Sequence, residues 1–185
     1  MSRNAYTLMR TAPLEFSEER YRLYRRYLEA RHQRKAAEDE ADLKAYMESM
    51  IDSPLPGLIC DYFVSTEGRE TLAGTGYLDV LPDGLSSVYF AFDPAFASLS
   101  LGVYSILREI ELVRELGKRW YYLGFWVEGY RKMAYKAAFR PHQLASDGIW
   151  HDSQNVDTEK ASVIILPDST RKGDHAPTTE ETKPL

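Results

Sequence analysis

Apolar positions repeat at helical spacing up to about residue 51, the period changes from residue 58 to 92, and helical spacing returns near residue 100. Helices followed by strands and then a mixture are therefore expected. The first helix opens at Glu18 behind Ser17 as N-cap, its leading acids suiting the positive end of the helix dipole. Tyr21, Leu23, Tyr24 and Leu28 lie along one face. Arg20, Arg22, Arg25, Arg26 and Arg31, continuing to Arg34 and Lys35, make another face basic. A second, more acidic helix from Ala41 to Ile51 stops at the punctuation Ser53-Pro54-Leu55-Pro56-Gly57.

Leu58 to Val64 reads as a strand, Ser65 to Glu70 as a tight turn around Gly68, and Thr71 to Leu81 as the antiparallel partner. Gly74 and Gly76 inside that partner point to a bulge or a close backbone approach. Pro82-Asp83-Gly84 turns the chain into a third strand, Ser86 to Phe92, closed by Asp93-Pro94, so that the three form a meander. Val103, Ile106, Leu107, Ile110 and Val113 predict an amphipathic helix with Ser100 as cap and Gly117 as stop. Trp120 to Val127 is short and aromatic-rich, hence a strand. From Tyr130 a basic helix follows, ended by Pro141, and Asp147-Gly148 turns a last hairpin toward Ile149-Trp150. Residues 1–153 make one domain, and residues 154–185 a flexible polar tail broken by the apolar patch Val163 to Leu166.

With 185 residues and 44% hydrophobic content the chain can bury one real core, and its net charge of -5 argues against a uniformly basic nucleic-acid coat. A local basic face stays open. Cys60 is the single cysteine, which excludes an internal disulfide and a cysteine-cluster metal site, and the four histidines lack ligand-pair spacing, so no metal is expected. No apolar run suits a membrane span or secretory signal, which makes the cytoplasm the expected compartment.

The order of elements, above all the step from the strand at Ser86 through Asp93 to a helix near Leu101, resembles a GNAT-type acyltransferase. That resemblance implies an α+β fold with a mostly antiparallel central sheet flanked by helices. An acyl donor's phosphates would meet the unpaired amides at the start of the helix. An ordinary GNAT acetyltransferase has a Gly-x-Gly or Gly-x-Ala there, whereas "FASLSLGVYS" holds Gly102 alone, which weakens acetyl-CoA as donor.

Three longer stretches, "DVLPDGLSSVYFAFDP", "SLGVYSILREIELVRELG" and "YYLGFWVEGYRKMAYKAAFRP", resemble the C-terminal domain of arginyl-tRNA-protein transferases and the bacterial aspartate/glutamate leucyltransferases. "FSEERYRLYRRYLEARH" is similar to the start of that domain, and the likeness runs from about residue 5 to 151. It implies transfer of an aminoacyl group from charged tRNA, as co-substrate without a further cofactor, to the α-amino group of a protein or peptide, commonly marking it for degradation. Members normally carry a cysteine-cluster domain ahead of this part. Another chain supplying that half, a stand-alone variant, and a degenerate domain that binds tRNA or a partner are the resulting expectations. A CoA-dependent N-acyltransferase is the alternative from another donor class.

Transfer from an activated ester to an amine that titrates near pH ~8 demands positioning and oxyanion stabilisation more than a nucleophile. Asp79 and Asp93, each ending a strand, are candidates to orient or deprotonate the amine, with Tyr89 as a third catalytic candidate. Asp93 before Pro94 equally suits a turn initiator, and Asp79 a wet sheet face. Ser86, Ser87, Ser98, Ser100 and Gly102 are candidate substrate-binding residues, the last three also explained by helix capping. Gly124 and Trp126 are expected close to the ester. Tyr130, Lys132, Tyr135, Lys136 and Arg140 interleave rings with cations, which suits the unpaired 3′ end of a tRNA, or an acidic acceptor side chain, as well as a solvated charged face.

Overall fold

The computed structural model describes residues 6–32, 40–127, 129–146, 149–152 and 162–167. Arg34, Lys35, the turn at Asp147-Gly148 and the expected tail beyond Pro167 lie outside the described residues. The chain divides into two compact units, residues 1–81 with 87–111, and residues 82–86 with 112–185.

The first unit holds strands β1 (Thr7–Pro13), β2 (Gly57–Thr66), β3 (Arg69–Val80) and most of β4 (Gly84–Phe92), neighbours in that order, with helices α1 (Glu18–His32) and α2 (Glu40–Ile51). β1 pairs antiparallel with β2, and β2 with β3. β1 is an addition to the sequence reading, because its alternation is that of a half-exposed edge strand and leaves few apolar positions to detect. The β2–β3 connection is tighter than expected. Thr66 pairs with Arg69 across Glu67 (φ 51°) and Gly68 (φ 79°), the two left-handed residues of a type I′ hairpin. The register slips beside Gly74, between the pairs Tyr62–Gly74 and Phe63–Leu72, which is the expected bulge. Gly76 supplies the close approach: a Cβ there would stand 2.9 Å from the Glu109 carboxylate.

Tyr21, Leu23, Tyr24 and Leu28 of α1 join Met47 and Met50 of α2 against Ile59, Leu72, Tyr77 and Ala91 of the sheet. On other positions of the same strands, Val64 and Ala73 pack with Leu101, Phe90 and Phe96. The arginines of α1 are largely answered by the chain's own acids. Arg20 forks onto the buried Asp61, which also accepts a bond from Thr75, while Arg22 pairs with Glu18 and Arg26 with Asp93. That accounting favours a structural reading of this basic face over a tRNA-backbone one.

Helix α3 (Leu101–Glu115) corrects the expected stripe. Leu101, Ser105, Ile106, Glu109, Leu112 and Val113 are buried, whereas Val103 and Leu107 are 42% and 49% exposed. The helix is rotated because Glu109, at 2% exposure, is drawn in by the Tyr62 hydroxyl 2.8 Å away. It ends as expected at Gly117 (φ 67°), where Gly117 N–H bonds Arg114 O and Lys118 N–H bonds Val113 O, a Schellman motif.

In the second unit Gly84–Ser86 pair in parallel with the start of β5 (Trp120–Trp126), which pairs antiparallel with β8 (Ser162–Pro167). β8 pairs in turn with β6 (Gln143–Ser146), and β6 with β7 (Ile149–Asp152). The tail expected from residue 154 therefore contains a strand, since the patch around Val163–Leu166 finds two strands to pair with. Gly84 permits the parallel contact, as a Cβ there would come within 2.4 Å of the Trp120 carbonyl. The expected basic helix from Tyr130 is not one: turns lead to a 3-10 helix, Ala134–Ala138. So few residues separate Gly129 from Pro141 that helix nucleation gains little, and Lys136 is held elsewhere.

Candidate functional site

In the first unit the segment from Phe92 to Gly102 builds the beginning of α3. Asp93 opens a 3-10 helix, Pro94–Leu99: its Oδ1 accepts the Ala95 amide at 3.0 Å and its Oδ2 accepts Arg26 Nε at 2.9 Å. Both carboxylate oxygens are thereby engaged, one in capping and one in an ion pair. Ser100 (φ 53°, ψ 45°) reverses the chain, and its carbonyl accepts the Val103 and Tyr104 amides to start α3. Ser98 and Ser100 are exposed, and a Cβ on Gly102 would meet nothing within 4 Å, so a ligand can reach the first turn of the helix. Leu101 anchors that turn in the core, and the Tyr104 hydroxyl ties it to the Thr7 carbonyl.

The other catalytic candidates are not brought there. The Asp93 amide bonds the Ala73 carbonyl, and Asp79 lies six residues further along β3, roughly 20 Å away at strand rise. One reacting atom cannot touch both acids. Asp79 is half-buried and accepts a bond from Ser53 at 3.1 Å. Tyr89 points into a cluster of tyrosines, where burial first and then the neighbouring phenols push its pKa well above the ordinary phenol range. Ser86 and Ser87 are half-buried in β4, Ser86 within the rungs shared with β5.

In the second unit the end of β5 is bulged. Between the pairs Tyr122–Ile165 and Gly124–Ile164 the strand gains a residue, Gly124 takes φ 74°, and Lys136 Nζ donates to the carbonyls on either side, Leu123 at 2.7 Å and Phe125 at 2.9 Å. Burial lowers the Lys136 pKa. Lys136 is thus a clamp between the 3-10 helix and the strand. It does not share a helical face with Lys132, because Lys132 lies in a turn outside the helix. Trp126 is 8% exposed and its indole Nε1, which can only donate, has no partner among the described residues. Phe125, Tyr130, Arg131, Lys132, Tyr135 and Arg140 are exposed. The structure thus assembles Gly124, Trp126 and Lys136 at one strand end and leaves Tyr130, Lys132, Tyr135 and Arg140 on the surface.

The profile of the family described as arginine-tRNA-protein transferase, C terminus, matches residues 19–146. The chain belongs to this family. Among its transferase relatives, the aspartate/glutamate leucyltransferase of Chromobacterium violaceum is 38% identical over 148 residues, covering 80% of this chain and 59% of that protein. The aspartate/glutamate leucyltransferase of Rhizobium meliloti is 39% identical over 160 residues, covering 80% of this chain and 61% of that protein. The chain thus spans about three-fifths of the length of these relatives. A GNAT-family acetyltransferase from Listeria monocytogenes superposes with a TM-score of 0.52 at 13% identity, covering 87% of this chain and 94% of that one. Identity that low establishes the α+β GNAT fold and nothing about the donor.

The sequence reading missed two buried polar groups of this domain: Glu109 with Tyr62, and Asp61 with Arg20 and Thr75. Asp61, between Cys60 and Tyr62, carried the signal applied to Asp79, an acid among apolar neighbours, whereas Glu109, beside Arg108 and near Glu111, did not. Among the described residues no three His, Cys, Asp or Glu side chains gather as a metal site, and no helix is long and apolar enough to cross a membrane.

Proposed function

We propose that this domain moves an amino acid of the arginine or leucine type from charged tRNA to the N-terminal α-amino group of a protein or peptide. Aminoacyl-tRNA is the co-substrate, no further cofactor takes part, and the reaction runs in the cytoplasm. The observation that carries this reading is the family match over residues 19–146, from the first turn of α1 to the end of β6. The relatives' names favour an acceptor that begins with Asp or Glu. A second polypeptide, corresponding to the part of the relatives outside the match, is the protein partner this reading anticipates.

The amine lone pair attacks the ester carbonyl carbon, the bond to the ribose oxygen breaks, and the amine proton leaves with the freed tRNA hydroxyl as a peptide bond forms. An α-amino group with a pKa near ~8 is partly neutral at physiological pH, so orientation and charge stabilisation supply most of the acceleration. The first turn of α3, at Ser98, Ser100 and the open Gly102, suits a phosphate or the developing oxyanion. Tyr130, Tyr135, Lys132 and Arg140 suit the single-stranded 3′ end.

The test is incubation with a mixture of radiolabelled aminoacyl-tRNAs and peptides beginning with Asp or Glu. Label in the peptides supports the reading. If acetyl-CoA raises the melting temperature and aminoacyl-tRNA does not, the domain is a CoA-dependent N-acyltransferase. Binding of tRNA with no label in any peptide makes it a binding domain.

A further inference from the structure

Four tyrosine rings meet in the first unit between α1, α2 and β4. Tyr89 contacts Tyr24 at 5.7 Å, Tyr46 at 6.1 Å and Tyr27 at 6.4 Å between ring centroids, in edge-on geometry. Neighbouring positions of the same strand solve their packing differently, with Phe90 against Phe96 and Leu101. Phenylalanine fills such space as well as tyrosine does, and a buried hydroxyl costs free energy unless it finds a partner. The four rings that meet at Tyr89 are nevertheless all tyrosine, with Phe92 beside them at 5.3 Å from Tyr27. Tyr46 is 51% exposed, Tyr27 and Tyr89 are half-buried, and the hydroxyls of Tyr46 and Tyr89 make no hydrogen bond among the described residues.

The charge beside the cluster is equally specific. Tyr24, Tyr27 and Arg31 follow one another on a single face of α1, and the exposed Arg31 interacts with the Tyr27 phenol. Arg26 is already held by Asp93, whereas Arg31 has no carboxylate partner among the described residues. A group that satisfies everything here has an ammonium, for the ring faces and phenol oxygens, and a carboxylate a few bonds away, for a guanidinium and phenol donors. An N-terminal Asp or Glu carries both.

We propose that Tyr27, Tyr46, Tyr89 and Arg31 form the subsite for the first residue of the acceptor, its α-ammonium against the tyrosines and its acidic side chain on Arg31. This rests on the reading of the domain as an aminoacyltransferase that prefers acidic acceptors. Burial raises the pKa of Tyr27 and, together with the neighbouring phenols, that of Tyr89.

The test is fluorescence anisotropy on the full chain, without tRNA, using a C-terminally labelled peptide that begins with Asp. Comparison peptides begin with Ala or carry an acetylated Asp. The Asp peptide should bind at least about tenfold more tightly than either. Tyr46→Phe, Tyr89→Phe and Arg31→Gln, which keep the packing, should each weaken it about tenfold or more. Thermal melts establish that the variants remain folded. In the transfer assay the same variants should raise the acceptor KM and spare kcat. Absence of binding, equal binding of the acetylated peptide, or wild-type affinity in all three variants overturns the subsite, and does so even if aminoacyl transfer proceeds. Selective binding without any transfer preserves the subsite and overturns the catalytic reading instead.

Discussion

Gly102 separates stability from function at a single position. A helix interior loses about 0.5–1 kcal/mol by carrying glycine where alanine would do, and space is open around this one. Gly102→Ala should therefore raise the denaturation midpoint while lowering transfer, because the methyl group would stand where the donor approaches. Higher stability with undiminished transfer would show that the glycine serves no ligand. His142 offers a pH test of a different kind. It is buried, its Nδ1 lies 2.7 Å from the Phe139 carbonyl, and burial chiefly lowers its pKa below 6.5. The folded state thus prefers the neutral ring, and the unfolded chain takes up a proton first as pH falls. Stability from this group is complete above pH 6.5 and is lost as pH drops through that value toward the lower folded pKa. Denaturant midpoints at pH 7.5 and 5.5 should differ more for the wild type than for His142→Gln.

Among the elements, the bulge at the end of β5 has an identifiable fastener. Lys136 satisfies two carbonyls at once, and Lys136→Met would leave both without that donor, at a cost of about 1–3 kcal/mol by chemical denaturation. A variant as stable as the wild type would show that the clamp is dispensable. This element also shows where sequence reading stops. The hairpin at Gly68 and the stop at Gly117 were legible because left-handed backbone is a local demand that selects glycine. The segment from Tyr130 carries good helix formers, but its conformation is decided by carbonyls on β5, and propensity cannot register a tertiary bond. The face of α3 was misread for the same reason: Glu109 is buried by Tyr62, a partner 47 residues away. At the site, Asp93 was legible as a turn former, whereas its ion pair with Arg26, 67 residues distant, was not. Strand β8 was hidden because it pairs with β5 and β6 across long sequence gaps.

At the scale of the whole molecule, the family match takes in residues of both compact units. The long motifs revealed the family, while the bonds that Asp93 and Asp79 make, to the Ala95 amide and to Ser53, were not legible in them. A cleft that aligns a ready-made ester with an amine needs little side-chain chemistry, so Asp79→Asn should leave more activity than Gly102→Ala does. The central claim is tested most directly by the intact mass and fragmentation of an Asp-first peptide after incubation with the protein and either leucyl-tRNA or arginyl-tRNA. The account requires a gain of one aminoacyl residue, located at the peptide's N-terminus, with at least one of the two donors. An unchanged peptide with both donors, given a folded protein that binds the tRNA, would contradict it.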